Sequence, residues 1–288
     1  MSATPPTVVV DYDGLDLELY FVTEVLKLRS LHYGLFPAAP SRPITIDAIR
    51  EAQARYTERL LTHVPEGVHT VLDVGAGIGD NARAFASRGY RVTAISPDKN
   101  HQKYFDAEPN PAITFHRSKY EHLDLDERFD LLLFSESINY FDRETGLRQS
   151  RRFVAPGGHM LVAAMFHRDD WMPYPDGFAI ESLPFVDMAR GHGFELDLAE
   201  DITEATAPTM EAVHYGLSQQ VRPLIAMGEH FVSVSSPWKA RAIRLAFGKQ
   251  IRELEKLLAY YEHRTNPETF RKVFRYVILR FRQTQSPS

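Results

Sequence analysis

The sequence predicts an α/β protein: a mostly parallel sheet with helices on both faces and a helical cap. Short apolar runs of β character alternate with helical segments between residues 69 and 200. A glycine turn joins strand to helix in "VLDVGAGIGDNARAFASRGYRVTAISP", residues 71–97, and two helical blocks, 11–64 and 208–263, flank the alternating stretch. A chain of 288 residues with 44% hydrophobic content buries one large core, or one core with a helical addition.

The elements follow in order. Residues 1–10 are small and proline-containing, with no periodic pattern. From Asp16 to Tyr33, apolar residues at 15, 19, 22, 25, 26 and 28 recur at helical spacing, and Gly34 and Pro37 end the run. The stretch 45–64 repeats the pattern, with Thr45 or Asp47 as N-cap and Pro65 and Gly67 after it. Strand 69–74, helix 79–88, strand 91–96, helix 98–106, strand 112–117, strand 129–134 and helix 142–153 come next. Gly157 and Gly158 turn the chain into a fifth strand, 159–166, and helix 181–190 and strand 194–200 add a further unit. The block 208–263 reads as helical, and a short helix then leads into a last strand, 276–281. The expected organisation is an N-terminal helical lid (1–66), a sheet-and-helix core (67–206), a helical insertion capping one end of the sheet (207–266), and the last helix and strand of the core (267–288).

Composition narrows the function classes. A net charge of -5 and the lack of a basic arm argue against a nucleic-acid partner. The absence of cysteine removes disulfides, thiolate zinc sites and a cysteine nucleophile together. The start has no signal-peptide pattern, and no apolar run approaches the roughly 18 residues of a membrane helix. The expectation is a cytoplasmic protein with no membrane partner; the oligomeric state stays open.

A strand that ends in a glycine turn offers backbone N–H groups and a helix N-terminus to a ligand. In "DVGAGIGDN" the glycines are 75, 77 and 79, with Ala76 inside the turn. Gly75 and Gly77 permit close backbone approach to a ligand, and Gly79 permits tight packing of the next helix. Asp73, two residues before the first glycine, would repel a pyrophosphate and suits a ligand carrying an ammonium.

At this point the chain resembles the class I S-adenosylmethionine-dependent methyltransferases, in their small-molecule type with an N-terminal helical lid. The first motif is "VLDVGAGIG". The ordered segments "RGYRVTAISP", "ERFDLLLFSESINYF", "RRFVAPGGHMLVA" and "GFELDLAEDIT" agree as second, fourth, fifth and sixth strands with their flanks. The resemblance implies a Rossmann-like seven-stranded sheet, S-adenosyl-L-methionine as cofactor, and a cradle for its methionine part at 75–79 organised by Asp73. One departure stands out: Ser96 occupies the end of the second strand, where the family usually has an acid for the ribose hydroxyls. Asp98, Asn100 or Gln102 would then complete the ribose site. Ser118 and Tyr120 fall near the family's adenine contacts. Tyr33 and Ser135 complete the candidate cofactor contacts.

The exit of the fourth strand, "FSESINYFD", faces the reacting centre in a sheet of this kind. Asn139 is a candidate to orient an amine or hydroxyl, Tyr140 to offer its ring to the sulfonium, and Glu136 to contact ligand, since a lone buried carboxylate is costly. His32, in "LHYG", is a candidate general base, as are His167 and His214. His101, His116 and His122 lack metal-ligand spacing, so no metal is expected. Aromatic residues of the helical blocks, among them Tyr12, Tyr20, Phe231, Trp238 and Phe247, either pack between helices or enclose a small pocket over the sulfonium.

The leading expectation is an S-adenosylmethionine-dependent methyltransferase acting on a small molecule in specialised metabolism. A second keeps the cofactor as substrate: its own amine attacks its γ-carbon, closing azetidine-2-carboxylate and releasing methylthioadenosine. A third is a non-catalytic cofactor-binding protein. The acceptor and the methylated atom are open at this level.

Overall fold

A computed structural model describes residues 16–38, 40–168 and 182–284. Seven strands form one sheet: β1 (Thr70–Val74), β2 (Arg91–Ser96), β3 (Ile113–Arg117), β4 (Phe129–Ser135), β5 (Val154–His167), β6 (Phe194–Asp201) and β7 (Phe274–Gln283). Their order is β3-β2-β1-β4-β5-β7-β6. All neighbours are parallel except β7, which runs antiparallel between β5 and β6. The mostly parallel seven-stranded sheet expected from the sequence is therefore present. Its strand order reverses between β1 and β4, which opens a crevice beyond their carboxyl ends.

Period-two alternation along β4 shows how the sheet is buried on both faces. Leu131 and Leu133 join a cluster with Tyr56, Phe85 and Tyr276 on one side, whereas Leu132 and Phe134 join Leu72, Phe153 and Phe281 on the other. Helices α2 (Ile46–Thr62), α3 (Asp80–Ser87), α4 (Gln102–Ala107), α5 (Arg143–Phe153), α6 (Ser182–Gly191), α7 (Thr203–Gly216) and α10 (Pro267–Val273) accompany the strands. Several starts are set by side-chain caps. Thr45 Oγ1 accepts from Ala48 N, Asp142 from Thr145 N, and Asn266 from Glu268 N and Thr269 N.

Several boundaries differ from the sequence expectation: β5 begins at Val154 rather than 159, and three others have a local reason. The run 16–33 forms only α1 (Leu17–Tyr20) and a π turn, Phe21–Val25. There Thr23 Oγ1 donates back to Leu19 O, and the Arg50 guanidinium donates to the carbonyls of Leu26 and Lys27, so the helix ends with its carbonyls satisfied elsewhere. The helix expected from 98 begins at Gln102, because the Asp98 carboxylate accepts from Asn100 N at 2.7 Å and holds a turn. The helical block begins at Thr203 rather than 208, where Asp201 Oδ1 accepts from Thr203 N.

Helices α8 (Arg222–Ser235) and α9 (Pro237–Arg264) form a hairpin. Side chains of α8 are not buried, and Phe231, Trp238 and Phe247 are 69%, 70% and 55% exposed. These rings do not enclose a pocket over the sheet, since the hairpin packs chiefly against itself. Tyr12 lies outside the described residues. Among the described residues no helix is long and apolar enough to cross a membrane.

One polar staple closes the lower end of the β1/β4 pair. Asp130 Oδ2 accepts from His69 N, Thr70 N and Thr70 Oγ1, each at 2.9 Å. Although burial opposes it, these donors hold the carboxyl below its usual range. A depressed carboxyl stabilises the fold above its ordinary value of 3.8 and loses that contribution as pH falls through the lower, folded value. Asp130→Ala is expected to lower the unfolding midpoint by about 3 °C at neutral pH. The difference from wild type should shrink in acid; a gap independent of pH in thermal melts would rule out the staple.

Candidate active site

The crevice is organised around one carboxyl group. Asp73 lies on the central strand β1, paired with Ala94 of β2 and Leu133 of β4, and is 1% exposed. Its Oδ2 has no hydrogen-bond partner among the described residues. Burial, reinforced by the nearby Asp80 charge, pushes its carboxyl up to about 8. Directly above it the loop turns tightly, with Gly75 N and Ala76 N both donating to Ile95 O at 3.0 and 2.9 Å.

The loop glycines divide their duties differently from the sequence expectation. Gly75 (φ 76°) is required by protein: a Cβ there would stand 2.5 Å from Ser137 Cβ, so the exit of β4 crosses directly over it. Gly77 (φ 55°) takes a left-handed backbone, and a Cβ there would stand 3.3 Å from Leu31 Cδ1 of the N-terminal segment, its one neighbour within 4 Å. Beside Gly75, Ser137 Oγ is buried and has no hydrogen-bond partner among the described residues. An unsatisfied carboxylate oxygen and an unsatisfied hydroxyl at one glycine loop call for a ligand that donates hydrogen bonds. A cofactor bearing an ammonium fits these residues.

The N-terminal segment lies against this loop. His32 Nδ1 faces Tyr33 O at 2.7 Å and His32 Nε2 faces Asp80 Oδ2 at 2.8 Å, while Thr57 Oγ1, which donates to Asn81 Oδ1, lies 3.2 Å from Nε2. Both ring nitrogens therefore donate, which describes an imidazolium. Burial works against that charge, but Asp80 outweighs it, and the His32 pKa is raised while that of Asp80 is lowered despite its own burial. A histidine already protonated and paired has no site for an acceptor's proton. His32 is thus placed as a strut between the N-terminal segment and the start of α3 rather than as the base expected from sequence.

Glu136 has the geometry expected of a working acid or base. It sits one residue past β4 with a left-handed backbone (φ 65°), a conformation that costs a non-glycine residue about 1 kcal/mol. Its N donates to Ala163 O at 2.8 Å, and its Oε1 accepts from Tyr276 Oη and, at 3.3 Å, from Tyr33 N. Burial raises its pKa to about 7, against the lowering effect of Tyr276, Tyr33 N and His32. Tyr276 Oη lies 3.0 Å from Tyr56 Oη, which in turn lies 3.0 Å from Ser135 Oγ. Burial followed by the Glu136 charge raises the phenol pKa of both tyrosines, so they act as donors.

Other sequence candidates fall into different surroundings. Ser96 is buried with Oγ 2.8 Å from His101 Nδ1; Asp98 is buried and also accepts from Asn100 Nδ2, while Gln102 Nε2 is engaged by Asp106. Ligand atoms of Asp16, Asp98 and His101 lie within 4.8 Å of one another, so the N-terminal segment also reaches the end of β2. Ser118 Oγ donates to Lys119 O at the surface. Tyr120 points away from the crevice: it is 3% exposed, donates or accepts with Ser150 Oγ at 3.0 Å, and packs on Phe134, Phe141 and Phe153. Asn139 spends its amide on Met165 O and its oxygen on Arg143, which holds the exit loop rather than an acceptor. Tyr140 is 54% exposed. His214 Nδ1 lies 3.0 Å from Glu262 O, and His167 packs on Phe274 at the end of β5. A cleft of about 530 Å³ borders Ile78, Asp80, Thr23 and Tyr104, on the flank of the loop and not at Glu136.

Comparison with known proteins agrees with this geometry. The methyltransferase domain family matches residues 72–162, the span from Asp73 through Glu136 into β5. Methyltransferase GfsG of Streptomyces halstedii is 28% identical over 205 residues, covering 64% of this chain and 72% of that protein. Residues 72–162 thus carry a methyltransferase domain, and the chain is an S-adenosylmethionine-dependent methyltransferase. Its cofactor is S-adenosylmethionine. The chain spans about half or less of the length of the other curated relatives it matches. Among solved structures, the [4+2]-cyclase SpnF aligns over 92% of this chain and 94% of its own, with a TM-score of 0.65 at 18% identity. Geranyl diphosphate C-methyltransferase of Streptomyces coelicolor A3(2), in complex with Mg2+, geranyl diphosphate and S-adenosyl-L-homocysteine, aligns over 95% of both chains, with a TM-score of 0.64 at 14% identity. At such identities these structures speak for the fold.

Sequence reasoning missed Tyr56, Tyr276 and Asp80, whereas Ser137 lies in the strand exit that it placed at the reacting centre. Tyr56 and Tyr276 lie in an amphipathic helix and an apolar strand, and only their hydroxyls, which meet each other beside Glu136, reveal more. Asp80 was within reach as the first residue after the glycine turn.

Two outcomes follow from the charges. Between its ordinary value of 3.8 and about 8, Asp73 binds a proton in the folded state that the unfolded chain does not, so its burial lowers stability as pH rises through that interval. Asp73→Asn is expected to raise the unfolding midpoint of the ligand-free protein at pH 8 and to abolish cofactor binding; wild-type affinity in the variant would remove Asp73 from the site. His32→Gln should cost about 3 kcal/mol in the acid-to-neutral range. The raised His32 pKa means that this loss is full below 6.5 and fades as pH climbs through the folded value, which denaturant titrations across pH would detect.

Proposed function

We propose that this methyltransferase acts in the cytoplasm on a small molecule of specialised metabolism, and that Glu136 takes up the proton the acceptor loses. The observation that carries the proposal is the half-buried Glu136 carboxyl, raised to about 7 and held by Tyr276 and Tyr33 N beside the glycine loop. A base with that value is half ionised at neutral pH, where proton transfer to it is most effective.

Bound S-adenosylmethionine supplies an electrophilic methyl group. The chain's own residues do the remainder. Asp73 receives the ammonium, whose charge replaces the proton the carboxyl otherwise holds. Gly77 admits the ligand to the backbone, and Ser96 with Asp98 serves the ribose. Tyr276, braced by Tyr56 and Ser135, fixes the Glu136 oxygen in place. Glu136 would take the proton released by the acceptor's oxygen or nitrogen. The N-terminal segment 16–33 excludes water as a lid, with His32 and Asp80 as its latch. Such a cover suits a small acceptor, as with the geranyl diphosphate bound by the structurally similar Streptomyces coelicolor enzyme.

Glu136→Gln is expected to lower kcat by about 100- to 10,000-fold and to leave cofactor affinity within a few-fold. Wild-type kcat should rise with pH through about 7, and the variant's profile should be flat there. An unchanged kcat in the variant refutes the assignment. Incubation with a small-molecule extract, followed by mass spectrometry, should yield S-adenosylhomocysteine and a methylated product. Methylthioadenosine formed without any acceptor would instead establish the cofactor as the substrate.

A further inference from the structure

We infer that the tip of the α8/α9 hairpin docks on an anionic lipid surface. The inference stands on charge and exposure at a place remote from Glu136, and holds for any acceptor. Residues 230–252 contain Lys239, Arg241, Arg244, Lys249 and Arg252 and no aspartate or glutamate, on a chain whose net charge is -5. The positive charge is therefore concentrated, not a sample of the whole surface.

At the base of the hairpin the charges are neutralised: Arg222 pairs with Glu262 at 2.7 Å, and Lys256 with Glu253 at 3.1 Å. From the tip along the first half of α9, no carboxylate pairs with Lys239, Arg241, Lys249 or Arg252 among the described residues. Lys239 Nζ instead lies over the Trp238 ring, 5.5 Å from its centroid.

The same tip is apolar. Phe231 and Val234 at the end of α8 and Trp238 and Leu245 at the start of α9 are 69%, 67%, 70% and 82% exposed. Trp238, Leu245, Lys249 and Arg252, at intervals of seven, four and three residues, share one helical face. An apolar face flanked by lysine and arginine, with tryptophan at the boundary, is the pattern of a helix lying in the headgroup region. A second copy of the chain is the poorer occupant, because a two-fold contact would set this positive patch against itself. No segment of this surface spans a bilayer, so the contact is peripheral.

The test uses the full chain with Trp171→Phe, which leaves Trp238 as its one tryptophan. Phosphatidylcholine vesicles with and without phosphatidylglycerol are compared by co-sedimentation and by Trp238 emission. The expected result is sedimentation and a blue shift with the anionic vesicles alone, both reversed by salt. The triple variant Lys239→Ala, Arg241→Ala, Lys249→Ala should partition about a hundredfold more weakly, roughly fivefold per charge, with an unchanged circular dichroism spectrum. Absence of binding to anionic vesicles at low salt, equal binding to neutral ones, or full binding by the triple variant each overturns the inference. A dimer dispersed by Phe231→Ser with Trp238→Ser, without vesicle binding, would assign the patch to a second copy. A Trp238 shift caused by polyglutamate but not by vesicles would assign it to an acidic protein.

Discussion

The site depends on a carboxyl group that the fold buries without a partner. Asp73 stands in the middle strand of a sheet covered on both faces, where water cannot reach its Oδ2 and no described side chain replaces water. An isolated charge there is unfavourable, so the group holds a proton up to about pH 8. In the role proposed for it, the same burial that destabilises the ionised carboxylate would strengthen its attraction to an ammonium, since both act in the same low dielectric.

Around that centre the charges are sorted by environment. Asp80, a few residues further on, is ionised because His32 meets it. Glu136 is poised because burial and its tyrosine donors oppose each other. Three carboxyl groups on or next to the same loop thus take three protonation behaviours, set by their neighbours rather than by their type. The tyrosines Tyr56 and Tyr276 come from α2 and β7, on opposite sides of the family-matching segment 72–162. The Glu136 environment is therefore built jointly by the family-matching segment and by the flanks on either side of it.

Much of the frame was legible from residues alone. The strand at 91–96 coincides with β2, and the helix at 45–64 with α2 to within two residues, because period-two and period-3.6 patterns are strong there and caps such as Thr45 are local. The run 16–33 misled, because helical spacing persists where Arg50, distant in sequence, withdraws the carbonyls the helix would need. Tyr120 misled for a similar reason: its position after β3 suggested the ligand, but its ring completes an aromatic cluster with Phe134 and Phe153. The same holds for Asn139, claimed by Met165 and Arg143.

The sequence by itself determined the parallel sheet, the glycine turn with its preceding acid, and through them the cofactor, since periodic patterns are local to each element and the turn lies within some thirty contiguous residues. Tertiary structure alone decided which polar groups remain unsatisfied. Whether a carboxyl is a strut, a cap or a base depends on what surrounds it from distant segments, and no spacing rule records that. His32 became half of an ion pair, Glu136 a carboxyl poised near neutrality, and the aromatic residues of the hairpin a surface, because burial and charge are properties of the assembled fold.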